Sequence, residues 1–401
     1  MTEIAHFGLA VLVVSGIVAL AVLSNKLSER VPIPAPAIFL LAAAGAAHLW
    51  TRLGDELSIR DVERLAVVAL VLILFDGGMR VGWARFRVAA VPICLLGVLG
   101  TFATAGLIAV AGRYLFDFSW TSAGILGAAL APTDPAVMFS VLGKREVTGR
   151  TGTILEGESG VNDPVGIALM VGMIDFATHA DSTFWVVIRE FLVEMSVGLA
   201  VGVVGAWVVL QTLRRIDLAN PALYPLRSLA AAGVVYGVAA VAHGSGFLAV
   251  FVAGILIGDA EYPRRPDVVR FHTSLASLAE VVVFVALGLS VNRVALSPVW
   301  TDGILIALLL VLARPVAIAP LLVPLRLRLG ERLFVMWGGL KGAVPILLAA
   351  FALLEGVAGA ERIYAIVFVV VAFSVIVQGG SVPFIARALG VPMRIVHRGA
   401  P

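Results

Sequence analysis

The sequence predicts an all-α polytopic membrane protein with about 13 transmembrane helices. Three observations lead there. The chain of 401 residues is 60% hydrophobic and only 14% charged, with a mean hydropathy of +1.04, whereas soluble chains carry far more charge. Apolar runs of roughly 17–25 residues recur along it, each long enough to cross a hydrocarbon core of about 30 Å. Basic residues gather in every second interval between those runs, as membrane orientation requires. The single cysteine, Cys94, lies inside an apolar run, which excludes a disulfide framework and a cysteine metal cluster. The net charge of +3 therefore reads as orientation in a membrane. Lipid is the expected surrounding partner, with no nucleic acid, no soluble substrate and no cofactor.

The spans fall at about 5–25, 33–50, 62–79, 88–112, 119–143, 152–178, 184–212, 226–242, 245–260, 272–291, 299–324, 332–354 and 361–386. The first begins Met1-Thr2-Glu3 without a basic leader, so it reads as a span and not as a cleaved signal. Of the 29 basic residues, 20 fall on one side of this array and 7 on the other, with Arg314 and Lys341 inside spans. That bias puts the N-terminus outside and the C-terminus in the cytoplasm of a cell-membrane protein. Residues 1–401 read as one transmembrane domain with no soluble domain.

Charged side chains inside the spans carry the functional argument, because each costs about 2.5–3.5 kcal/mol at the helix centre even on the lenient insertion scale. In span three, Asp76 stands near the basic interval holding Arg80, Arg85 and Arg87 and reads either as a gate or funnel acid or as a surface residue. Span five carries Pro132-Thr133-Asp134-Pro135, with Asp134 near the bilayer midplane. Span six carries Gly157-Glu158-Ser159-Gly160-Val161-Asn162-Asp163-Pro164, with Asp163 at similar depth. Here Glu158 pairs in spacing with Asn162, and Ser159 with Asp163, so each pair shares a helix face. Pro135 and Pro164 each remove a backbone donor and loosen the preceding turn. The freed carbonyls, the Thr133 and Ser159 hydroxyls and the carboxylates form a hard oxygen set suited to an alkali cation. A buried carboxylate holds either a proton or a cation, and that mutual exclusion is the minimal physics of exchange.

Other acids are read in the same way. Glu156, about two turns nearer the basic side than Asp163, reads as a cation-attracting acid or as a solvated helix end. Glu280 reads as a functional acid or as a paired core acid, and Asp175 and Glu194 as interfacial. In span eleven, Arg314 of Leu312-Ala313-Arg314-Pro315 needs a buried counter-ion, for which Glu158 is the obvious choice. Span twelve holds Gly338-Gly339-Leu340-Lys341-Gly342-Ala343-Val344-Pro345. Its glycines either permit close helix packing or mark a broken helix matching span five. The second reading gives two inverted six-helix repeats, spans one to six and eight to thirteen, with crossed broken helices at spans five and twelve. Lys341 would then neutralise helix C-terminal dipoles at the crossover.

With these motifs in hand, the chain resembles the monovalent cation–proton antiporter superfamily, in its NhaP-type branch. The resemblance rests on Thr133-Asp134-Pro135, Gly157-Glu158-Ser159 with Asn162-Asp163, Arg314-Pro315 and the Gly-Leu-Lys-Gly-Ala-Val stretch ending at Val344, and it covers essentially the whole span array. It implies secondary antiport of Na⁺ or K⁺ against H⁺ by a homodimer with a role in pH homeostasis. A core containing 119–178 and 299–354 would move as an elevator against a dimerisation scaffold. It implies Asp163 as the essential ion- and proton-binding acid, with Asp134 and Ser159 as co-ligands, Thr133 as support for the unwound crossover, and Thr133 and Asn162 within the same ion- and proton-binding set. Asn162-Asp163 is similar to the Asn-Asp form linked with electroneutral exchange. The family often has Arg where this chain has Lys341. Leu74-Phe75-Asp76-Gly77-Gly78 is similar to potassium–proton members, which often continue into a cytoplasmic regulatory domain. Two rivals belong to other classes. In an intramembrane serine protease Ser159 would be the nucleophile and His243 the base, but the span array puts them at opposite faces. A cation channel would arrange its acids around a symmetry axis instead of within one protomer.

Overall fold

A computed structural model describes residues 34–49, 58–142, 145–179, 183–291, 296 and 298–395, with positions 8, 12, 15, 16 and 19. Most of the first predicted span, together with Lys26, Arg30, Arg52, Lys144, Arg293 and Arg398, lies outside the described residues. The second predicted span is α1 (Ala35–Leu49), and the third and fourth follow in one helical run. That run comprises α2 (Ile59–Cys94), a π-helical turn (Leu95–Gly100) and α3 (Thr101–Leu115). Its start is fixed by a capping box in which Ser58 Oγ accepts from Asp61 N and Asp61 accepts from Ser58 N.

At 57 residues the run would extend about 86 Å if straight, far more than one bilayer crossing. A kink at Gly82 divides it, where φ is +62°, a conformation glycine reaches without steric cost. Beyond the kink, Asp259 Oδ2 accepts the Ala84 N–H at 2.7 Å. A Cβ at Gly82 would overlap that same carboxylate.

Predicted span five is two helices, α4 (Trp120–Leu130) and α5 (Pro135–Leu142), separated by non-helical residues 131–134. Pro135 occupies the first position of α5, where a missing N–H costs nothing. Span six is the single helix α6 (Gly149–Thr178), which runs unbroken through Pro164. The expected loosening at Pro164 is therefore corrected: one lost backbone bond is tolerated inside a helix buried along most of its length.

Next come α7 (Phe184–Arg215), α8 (Leu223–Val241), α9 (Gly246–Gly258) and α10 (Arg265–Ser290). Helix α7 buries a narrow stripe through Gly198, Gly202 and Ala206, while Leu199, Val203 and Trp207 stay exposed. Such apolar exposure suits contact with lipid or a second protein surface. Then come α11 (Trp300–Leu322), a short 3₁₀ turn (Val323–Leu325), and α12 (Leu329–Trp337) with α13 (Ala343–Leu354), which split predicted span twelve around residues 338–342. The last predicted span is α14 (Ala360–Phe373), a second π-helical turn (Ser374–Gly379) and α15 (Gly380–Ala388).

Helix α6 packs against α2, α4 and α7, and α13 packs against α14, α4 and α2, which places both interrupted helices beside α6. On one face, β1 (Arg145–Val147) pairs antiparallel with β2 (Met393–Ile395), joining the chain before α6 to the segment after α15.

Candidate functional site

The two interrupted helices meet backbone to backbone. Asp134 N donates to Leu340 O at 2.8 Å, linking the gap between α4 and α5 to the gap between α12 and α13. Lys341 is 0% exposed, and its Nζ donates to Ala131 O at 2.9 Å and Pro132 O at 2.8 Å. Those carbonyls follow the last turn of α4, where a helix leaves acceptors without internal partners and carries partial negative charge. The lysine backbone N–H is held in turn by Ser374 Oγ at 2.8 Å, and Ser374 donates to Gln378 Oε1. Gln378 Nε2 then caps Trp337 O at the end of α12.

Glycine here makes room for charge rather than for a neighbouring helix. A Cβ at Gly342 would collide with the Asp134 carboxylate, and one at Gly339 with the Arg314 guanidinium. Close helix packing is thus not what these two positions provide.

Helix α6 supplies the facing side. Asp163 is the fifteenth of its 30 residues, near its middle, and is 7% exposed. Its Oδ1 makes no hydrogen bond to a protein group among the described residues. It lies within electrostatic range of Asp134 and Lys341. Thr133 is tied to α6 at two places one turn apart. Asn162 Nδ2 donates to Thr133 Oγ1 at 2.7 Å, Thr133 N donates to Asn162 Oδ1 at 3.3 Å, and Thr133 Oγ1 stands 3.3 Å from Ser159 Oγ. The structure therefore brings Thr133, Ser159 and Asn162 into one cluster beside Asp163, with Asn162 and Ser159 serving the same partner. The shared faces expected from i,i+4 spacing divide differently, because Glu158 turns the other way. Arg314 Nη2 donates to Glu158 Oε1 at 2.8 Å, both side chains being buried, while Arg314 Nε has no partner among the described residues.

The remaining candidates stand outside this cluster, although Glu280 is within electrostatic range of Asp134. Asp76 is fully buried: Arg80, one turn on, donates to its Oδ2 from Nε at 2.7 Å, and Thr273 Oγ1 donates to Oδ1 at 2.9 Å. This overturns the surface reading, since α2 continues past Asp76 and α10 covers it. Glu156 is partly exposed, with Arg85 Nη1 3.9 Å from its Oε2. Glu280 lies on α10 at intermediate exposure, and Asp175 pairs with His179 near the end of α6. His243 is exposed at positive φ, and the hydroxyl of buried Ser159 is engaged by Thr133, so the two do not form a nucleophile–base pair. Among the described residues, no three His, Cys, Asp or Glu side chains gather as a metal cluster. Any cation held here would be bound by hydroxyls and carbonyls along with the two aspartates.

Sequence reasoning missed Ser374 and Gln378, the polar supports of Lys341. Their signal was weak, two uncharged polar residues in an apolar run before Gly379-Gly380. It also missed the buried pair of Ser228 Oγ and His272 Nε2, 2.7 Å apart.

Comparison with known proteins adds three findings. Residues 14–388 match the family model described as "Sodium/hydrogen exchanger, transmembrane". The chain is 34% identical over 387 residues to the K(+)/H(+) antiporter NhaP of Alkalimonas amylolytica, covering 95% of this chain and 67% of that protein. It is 32% identical over 375 residues to the K(+)/H(+) antiporter NhaP2 of Shewanella sp. strain ANA-3, covering 92% and 65%. The chain thus spans about two thirds of the length of these relatives. In structure it superposes on the sodium proton antiporter MjNhaP1 of Methanocaldococcus jannaschii with a TM-score of 0.77 at 21% identity, over 96% of this chain and 99% of that one.

Proposed function

The chain belongs to the sodium/hydrogen exchanger family and to its NhaP-type branch, and on that premise we propose that it exchanges Na⁺ or K⁺ for H⁺ across the cell membrane. The observation that carries the proposal is the Asp163 carboxylate, buried at the middle of α6 with Oδ1 unbonded to protein among the described residues. A carboxylate so placed takes a proton or a cation and not both, because desolvation favours the neutral acid and a bound cation favours the anion. Asp134, Ser159 and Thr133 complete the oxygen set for the cation, and Asn162 holds Thr133 in place through its 2.7 Å bond. Glu158 and Arg314 form a structural pair that keeps α6 against α11. Lys341 and Gly342 shape the crossover, one by neutralising carbonyls and the other by leaving space for Asp134. Glu156, partly exposed beside Arg85, lines a funnel on the basic face, and buried Asp76 links α2 to α10 through Thr273.

In this reading the two helix gaps are crossed half-helices of two inverted repeats. The core around 119–178 and 299–354 moves as an elevator against a scaffold that includes the exposed face of α7, through which the protein forms a homodimer. Exchange is electroneutral, one proton for one monovalent cation. The N-terminus is outside and the C-terminus cytoplasmic.

The test is a lumenal pH dye in proteoliposomes given Na⁺, K⁺ or Li⁺ separately, with and without a clamped membrane potential. Proton movement on adding one cation, unaffected by the clamp, identifies the ion and the electroneutral stoichiometry. A response that scales with voltage refutes electroneutrality, and silence with every cation refutes antiport.

A further inference from the structure

We propose that Ser374 and Gln378, on the π-helical turn between α14 and α15, are positioning residues for cation exchange. They orient one peptide unit, Leu340–Lys341, and through it place Asp134. The role rests on the antiport reading.

A trans peptide unit is planar, so its C=O and N–H point in opposite directions and turn together. In the gap between α12 and α13, Leu340 O accepts from Asp134 N at 2.8 Å, and Lys341 N donates to Ser374 Oγ, also at 2.8 Å. One rigid plate is thus gripped from two sides, by the first gap and by the π-helical turn. Any rotation at the Ser374 end swings the carbonyl that holds Asp134.

The grip is itself braced. Ser374 Oγ donates to Gln378 Oε1 at 3.0 Å, and Gln378 Nε2 donates to Trp337 O at 2.8 Å. Two side chains one turn apart therefore hold both ends of the second gap, Trp337 and Lys341. At 2% and 6% exposure, neither is readily replaced by water. Trp337 Nε1 donates to Ser381 Oγ, and Ser381 Oγ donates to Gln378 O, which closes the network back onto the turn. Gly379 of the same turn lies against α5, where a Cβ would approach Val137 Cγ1 to 3.3 Å. The turn thus meets both interrupted helices, and π-helical turns occur frequently at functional sites. The first gap is gripped in the same manner, by Ser159 and Asn162 of α6 on Thr133.

The experiment combines cation-driven proton movement in proteoliposomes with amide deuteration of the full chain, read by mass spectrometry. Ser374→Ala and Gln378→Met should each raise the half-saturating cation concentration about three- to tenfold, the equivalent of one hydrogen bond, with the maximal rate less affected. Ser374→Thr, which keeps the hydroxyl, should retain the wild-type value. Deuteration should quicken at 338–342 and, across the gap, at 131–134. Gln378→Met decides the matter if Ser374→Ala does not fold, because the Ser374 hydroxyl can then turn to a carbonyl of its own helix. An unchanged half-saturating concentration with a lowered melting temperature, or faster deuteration confined to 338–342, overturns the proposal. A wild-type chain silent with every cation refutes antiport instead, and deuteration at 131–134 still decides whether the turn places Asp134.

Discussion

Two carboxylates five residues apart on α6 are both buried, Glu158 at 1% exposure and Asp163 at 7%, yet their surroundings are opposite. Glu158 meets a guanidinium at 2.8 Å. Asp163 lies within electrostatic range of a second aspartate, Asp134, and of Lys341, and its Oδ1 has no hydrogen bond to a protein group among the described residues. A buried charge that has a dedicated partner resists change, because removing either member strands the other. A carboxylate without one stays responsive to protons and cations. In the proposed scheme the same helix holds a fixed joint and a titratable centre side by side, divided by which face of α6 each residue occupies.

This contrast can be broken experimentally. The largest effect is expected from Asp163→Asn, which should reduce cation-driven proton movement in proteoliposomes to background while the melting temperature stays near wild type. Residual exchange would remove Asp163 from the centre of the scheme. Next come Glu158→Gln and Arg314→Ala, each expected to cost about 3–5 kcal/mol of stability by leaving a buried charge unpaired. Detergent melting curves would read that loss, and a Glu158→Leu/Arg314→Leu double variant should recover much of it. Equal damage in single and double variants would show that the pair is not the unit. Gly342→Ala should be intermediate, about 1–3 kcal/mol, with exchange impaired more than folding because the new methyl displaces Asp134. The smallest effect belongs to Thr133→Val, about 1 kcal/mol from losing its bond with Asn162, seen as a higher apparent KM for the cation. An unchanged KM would mean that Thr133 only braces the backbone.

Much of this arrangement was legible in the sequence because membrane burial makes charge conspicuous. Arg314 demanded a counter-ion, and Glu158 was the acid at compatible depth. The glycine and proline clusters at 132–135 and 338–345 marked where regular helix could not run. What stayed hidden depends on which side chain turns toward which. Asn162 and Ser159 converge on Thr133, which is fixed by the position of the gap and not by spacing along α6. Asp76 looked peripheral because the end of its helix could not be located from composition, and Arg80 and Thr273 had no pattern announcing that they would enclose it. Pro164 misled in the other direction, since a buried helix absorbs a single missing donor. Ser374 and Gln378 carry no charge, so hydropathy alone gave little reason to single them out.

The kink at Gly82 has a consequence in time. The carboxylate that fixes the restarted helix at Ala84 belongs to Asp259, 175 residues further along the chain. At ordinary synthesis rates of about 5–20 residues per second, that interval is roughly 9–35 s. During it, the helical run that begins at Ile59 must wait on the ribosome's later output before its bend acquires the bond that holds it.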